Sequence, residues 1–253
     1  MKEINATGRF SSRVEDYVRY RPSYPPAIVP LLERECGLNG NSTIADIGSG
    51  TGFLTKLFLD RGCLVKGVEP NAGMRHAGES FLAGYPNFES IVGTAERTGL
   101  QAASIDLVTA GQAFHWFDAN AARAEFRRIL RPPRWAALIW NERRLTGPFL
   151  EGYEEILNRW APEYKIVDHR RIDSSLIAEF FAHNNWKRST FDNEQIFDFA
   201  GVRGRLMSSS YVPPPDSAAF QPMMGELEHL FQAHQQAGRV RFLYDTIVYC
   251  GAL

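Results

Sequence analysis

Three glycines at alternate positions, Gly48, Gly50 and Gly52, follow Asp46 in the run IADIGSGTG at residues 44–52. Without a Cβ, such a turn lets backbone N–H groups and a helix start approach a ligand closely, which is the chemistry of a nucleotide cradle. Dinucleotide-binding turns use G-x-G-x-x-G, whose third glycine lets helix and strand pack closely. Here Phe53 stands where that third glycine is needed. Asp46 sits badly beside a pyrophosphate and suits a ligand with a positive amino-acid head. Glu69 ends the next apolar run, about 20 residues on, where an acid accepts hydrogen bonds from both hydroxyls of a ribose. Taken singly, the glycines are also a plain turn, and Glu69 is also a helix-start acid beside Pro70. Together the three features favour the ligand.

Further candidates lie downstream. His115 and Trp116 follow a fourth apolar run, at the edge where ligands bind in open α/β sheets. Imidazole titrates near neutrality, so His115 suits a general base on a hydroxyl or nitrogen nucleophile. A histidine that only shapes the pocket is the simpler reading, as is a Trp116 that packs under a cover. Arg143 and Arg144 have the fork to clamp a substrate carboxylate, or form a solvated loop face. Tyr211 and the serines at 208–210 edge a pocket or make a polar loop before prolines. The six histidines show no HxxxH or HExxH spacing, so no metal site is expected.

The elements that position these residues follow from periodicity. Strand 44–47 leads through the glycines into a helix carrying Phe53, Leu54, Leu57 and Phe58, stopped by Gly62. Strands are then expected at 64–69, 88–92, 105–110 and 135–140, with helices at 72–83 and from Asp118 to the Pro132–Pro133 stop. Alternating units of this kind build a parallel sheet covered on both faces. Residues 142–185 read as a charged helical insertion above the strand ends, with Arg170 and Arg171 near its close. Regular structure resumes at about 187–197 and precedes a helix at 217–237, with Phe220, Met224, Leu227 and Phe231 on one face, and a last strand at 240–249. Residues 1–40 crowd Tyr17, Tyr20, Arg21, Pro22, Tyr24, Pro25 and Pro26, which excludes a long helix past Arg21 and suits an aromatic cover.

Bulk properties narrow the class. The chain has 253 residues, 44% of them hydrophobic, and a formal net charge of -1. No basic field draws it to nucleic acid, and no apolar run spans a bilayer. Its three cysteines form no CxxC pair, so a reducing cytoplasm without disulfides is the expectation.

The segments DIGSGTG, GVEPN, GTAERTGL and IDLVTAGQAFHWFD together resemble the class I S-adenosylmethionine-dependent methyltransferases. The likeness is strongest to their small-molecule branch, the type 11 and trans-aconitate-methyltransferase-like proteins. It covers about residues 9–141, including the opening FSSRVEDYVRYRPSYP, and returns in SSSYVPPP and YDTIVYCG. The resemblance implies a doubly wound, seven-stranded, mostly parallel α/β sheet of order 3-2-1-4-5-7-6 with an antiparallel final strand pair. It implies one domain over 1–253, with 1–40 as N-terminal cover and 142–185 as helical lid. The cofactor would be S-adenosyl-L-methionine. Gly48, Ser49 and Gly50 would line its methionine portion, with Asp46 near the ammonium or ribose. Glu69 would hold the ribose, Pro70 and Met74 the adenine face, and Ala95 and Glu96 the adenine edge. Gln112 and Ala113 would face the methyl group, with Tyr17 and Arg21 closing from the N-terminal side. His115 would be the catalytic candidate, and Trp116, Arg143, Arg144 and Tyr211 would meet the small-molecule acceptor. The site after strand four reads GQAFHW instead of a D/N-P-P-Y/F run, which argues against base or glutamine N-methylation. Methyl transfer to oxygen or nitrogen, including a carboxylate, is the expected activity. A cofactor-binding module without turnover and a nicotinamide oxidoreductase are the rival classes.

Overall fold

The computed structural model describes residues 18–164, 174–181, 186–209 and 211–253. Seven strands form one sheet of order β3-β2-β1-β4-β5-β7-β6, as the sequence led us to expect. They are β1 Thr43–Ile47, β2 Leu64–Val68, β3 Phe88–Ile91, β4 Ile105–Gly111, β5 Leu130–Arg143, β6 Trp186–Phe197 and β7 Val240–Ala252. The first five pair in parallel, and β7 lies antiparallel to both β5 and β6. The helices are α1 Ile28–Cys36, α2 Phe53–Leu59, α3 Ala72–Phe81, α4 Ala119–Ile129, α5 Pro148–Trp160, α6 Ser174–Phe180, α7 Phe199–Met207 and α8 Phe220–His234.

Local chemistry explains several boundaries. Asn71 caps α3 by accepting from Met74 N, and Asp118 caps α4 by accepting from Asn120 N and Ala121 N. The stripe Ala122, Phe126 and Ile129 then turns α4 onto the sheet. Pro132 and Pro133 do not end that helix, which stops at Ile129. They lie inside β5, in the register break between the pairs Ile105↔Leu130 and Leu107↔Trp135. A bulge frees the prolines from the ladder bonds they cannot donate.

Three apolar clusters hold the layers. Phe114, Phe126, Trp140, Phe180 and Phe181 pack α4 and α6 on one face. Leu32, Phe58, Leu107 and Val248 pack α1 and α2 on the other. The third joins α5, α7 and α8 over Phe242 and Tyr244 at the start of β7. Four expectations change accordingly. Residues 28–36 are a core helix instead of roof, because Ile28 and Leu32 are fully buried against the sheet. The helices of 142–185 are likewise packed into two of the cores. On α8 it is Met223, not Met224, that joins Phe220, Leu227 and Phe231 in full burial. The last two strands pair antiparallel as expected, but two helices join them where one was expected, α7 being unanticipated. Cys36 and Cys250 meet through their thiols although distant in sequence. No helix among the described residues is long and apolar enough to cross a membrane.

Candidate active site

The glycine bend is forced by both conformation and space. Its φ angles are 68° at Gly48, 56° at Gly50 and 87° at Gly52, a region side chains rarely adopt. A Cβ on Gly48 would fall 2.6 Å from the Ala113 Cβ, which also explains why position 113 is small. Gly48 N and Ser49 N donate to Val68 O at 2.8 and 3.2 Å. Glu69 then locks the arrangement. Its Oε2 accepts from Gly50 N at 2.9 Å and its Oε1 from Asn71 N at 2.8 Å. Burial pushes the Glu69 carboxyl up, and the backbone donors of Asn71 and Gly50 oppose that rise.

Asp46, expected near a ligand ammonium or ribose, is turned inward to the protein's own hydroxyls. It is 1% exposed and accepts from Thr55 Oγ1 at 2.6 Å and Thr109 Oγ1 at 3.0 Å. Burial lifts its pKa to about 6, the threonine bonds oppose the shift, and the Glu69 charge adds to it. Both oxygens are turned to hydroxyls behind the bend, so Asp46 braces the turn from within the sheet. Neither threonine had a sequence signal beyond a polar residue in an apolar run.

The other candidates surround the bend. Met74 is buried with its Cε 3.4 Å from where a Gly50 Cβ would stand, while Pro70 is exposed at the start of the same helix. Ala95 is buried, and Glu96 accepts from Asp118 N at 3.0 Å, holding the start of α4. Gln112 follows β4 with φ 55°, strained for a side chain with a Cβ. Its N donates to Ile139 O at 2.9 Å and its Nε2 to Asn141 O at 2.8 Å. The Gln112 Oε1 is buried and finds no donor among the described residues. Phe114 anchors the short 3-10 turn Phe114–Trp116 in the core, leaving His115 and Trp116 half-buried at the rim, ring centroids 4.9 Å apart.

The N-terminal arm crosses this edge. A Cβ on Gly111 would meet Tyr24 Oη at 2.5 Å. Asn193 Nδ2 donates to Ser23 O at 2.8 Å, and Gln195 Nε2 to Tyr20 O at 3.2 Å. Arg21 Nη2 donates to Ser208 O at 2.9 Å. The tyrosine and proline crowding was the signal for this cover; Asn141 and Asn193 gave none. Tyr17, Arg170, Arg171 and Ser210 lie outside the described residues. Of the two readings of Arg143 and Arg144, substrate clamp or solvated loop face, the clamp is opposed by the protein acids that hold both side chains. Arg144 donates to Asp245 Oδ1 at 3.0 and 2.7 Å and also pairs with Asp192. Arg143 turns toward α5, pairing with Glu154 and lying 4.7 Å over the Tyr153 ring. Tyr211 packs on Tyr164, centroids 4.9 Å apart.

An orphan acceptor at Gln112 and a carboxylate across the bend fit a ligand that carries both an ammonium and a ribose. A family described as a methyltransferase domain matches residues 45–137. Residues 45–137 are thus similar to the methyltransferase domain family. An uncharacterised methyltransferase of Schizosaccharomyces pombe is 34% identical over 151 residues, 59% of each chain. This chain therefore spans about three fifths of that relative's length. A candidate type II methyltransferase from Anaeromyxobacter dehalogenans superposes with a TM-score of 0.66 at 20% identity, covering 92% of this chain and 98% of that one. A geranyl diphosphate methyltransferase solved with S-adenosylmethionine gives a TM-score of 0.52 at 14% identity, covering 99% and 93%.

Proposed function

We propose that this methyltransferase domain transfers a methyl group from S-adenosyl-L-methionine to oxygen or nitrogen of a small-molecule acceptor. The observation that carries the reading is the Glu69 carboxylate bonded to Gly50 N across three left-handed glycines. When bound, the donor supplies a methyl group already activated on a sulfonium. The chain then has to hold that donor, align an acceptor lone pair and exclude water. Gly48, Ser49 and Gly50 would present backbone to its methionine portion, and Gln112 Oε1 would accept from the ammonium. The Glu69 oxygens, each with a second lone pair, would accept from the ribose hydroxyls while keeping their backbone donors. Met74, Pro70, Ala95 and Glu96 would border the adenine. The arm from Tyr20 to Tyr24, with Tyr17 and Arg21, would cover the acceptor beside His115 and Trp116. A carboxylate acceptor needs no base there, whereas a hydroxyl would give its proton to His115.

Calorimetry with S-adenosylhomocysteine and with NAD tests the donor, and labelled donor with a metabolite extract tests turnover. Binding of S-adenosylhomocysteine with labelled product supports the reading. NAD binding instead, or cofactor binding that never yields product, would reject it.

A further inference from the structure

Among the described residues Arg205, at 7% exposure, is the only arginine or lysine that is buried. Its bonds go to neutral groups: Nε donates to Tyr244 Oη at 3.2 Å and Nη1 to Ser209 Oγ at 3.4 Å. No carboxylate among the described residues pairs with it, and its Nη2 donates to none of them. The titratable side chains that act on it most are the phenols of Tyr244, Tyr153 and Tyr211. Glu154, the acid of the same cluster, is already held by Arg143 Nη2 and by Tyr164 Oη at 2.7 Å. A guanidinium largely withdrawn from water, with no carboxylate partner among the described residues, costs the fold stability, so a chain that keeps one there gains something else by it.

Its position shows what that gain is. Tyr244 stands opposite Arg143 of β5 and Asn193 of β6, at the carboxyl edge of β5. Tyr244 Oη donates onward to Gln195 Oε1 at 2.9 Å, and Gln195 in turn holds Tyr20 of the arm. A Cβ on Gly204 would fall 2.1 Å from the Tyr20 ring, so α7 and the arm are pressed together beside Arg205. Arg21 Nη2 reaches the same Ser209 hydroxyl at 3.4 Å. Two guanidiniums thus converge on one hydroxyl, above the sheet edge that carries Gln112 and Asn141.

We propose that Arg205 is an anion subsite: it receives an oxyanion group, carboxylate or phosphate, carried by the methyl acceptor. This assignment of the ligand as acceptor rests on the methyl-transfer reading; the anion site itself does not. The free Nη2 corner, flanked by the donors already turned to Tyr244 and Ser209, supplies the fork that such a group accepts from.

The test uses the full chain as wild type, Arg205→Met and Arg205→Lys. Succinate, inorganic phosphate and neutral succinamide are titrated by calorimetry, with and without S-adenosylhomocysteine, and melting temperatures are recorded. Succinate or phosphate should bind wild type, about tenfold or more weaker in Arg205→Met, while succinamide should not bind. Which of the two anions binds identifies the source of the oxyanion. Arg205→Met should melt no lower than wild type, because it removes an uncompensated charge, and should keep its S-adenosylhomocysteine affinity. Should Arg205→Met fail to fold, Arg205→Lys, which keeps the charge but loses the fork, must still weaken the anion. Anion affinities equal in wild type and variant, or no anion binding by wild type, would overturn the proposal. Failure of wild type to bind S-adenosylhomocysteine would instead overturn the methyl-transfer reading, which the anion titrations do not measure.

Discussion

Replacing Asp46 by asparagine isolates the cost of a carboxylate that the fold buries. Its pKa rises from 3.8 to about 6, a difference of about 2.2, and at about 1.36 kcal/mol per unit the ionised form costs about 3 kcal/mol. Asparagine keeps the shape; its oxygen accepts from one threonine hydroxyl and its amide donates to the other. The sign follows from the raised value. The native state binds the proton more tightly than the unfolded chain, so this contribution to stability is present below about pH 4 and lost as pH rises through about 6. Asp46→Asn should therefore exceed wild type by about 3 kcal/mol at pH 8, and by under about 1 kcal/mol at pH 4. For a chain of this size that is a melting gap of about 6–12 °C, closing on acidification. Calorimetric scans from pH 4 to 8 at constant ionic strength read it directly. A gap that does not change with pH, or a variant less stable than wild type at pH 8, would refute the reasoning.

Three further outcomes are expected. Gly48→Ala should lose about 2 kcal/mol or more in urea unfolding, from a left-handed φ and a 2.6 Å approach to Ala113. Adding Ala113→Gly should restore part of that loss by removing the clash but not the strain. Glu69→Gln should weaken S-adenosylhomocysteine about tenfold or more by calorimetry, because its amide faces either Gly50 N or Asn71 N as a second donor. An unchanged affinity removes Glu69 from the ribose. Arg144→Ala should change stability by less than about 1 kcal/mol and leave the acceptor KM unmoved, since its partners are the surface acids Asp245 and Asp192.

The sequence by itself determined the features that depend on near neighbours along the chain. Alternate glycines permit the left-handed backbone of a tight bend, Asp118 suits the cap of the helix that follows it, and period-2 or period-3.6 apolar runs point to strand or helix. From these come the elements and the bend, with Glu69 just past β2, whereas the sheet order was implied by the resemblance to the methyltransferases. Tertiary structure decided which partner each polar side chain meets, because burial and charge neighbours come from residues far off in sequence. Thr55 and Thr109 turned Asp46 inward, Asp192 and Asp245 took Arg144 from any substrate, and a break in register let Pro132 and Pro133 stay inside a strand. Packing against Leu107 and Val248 made a core helix of the segment after Tyr24. Arg205 is the sharpest case: nothing in GVRGRLM distinguishes it from Arg203, and only the fold leaves one exposed and buries the other with no counter-ion among the described residues.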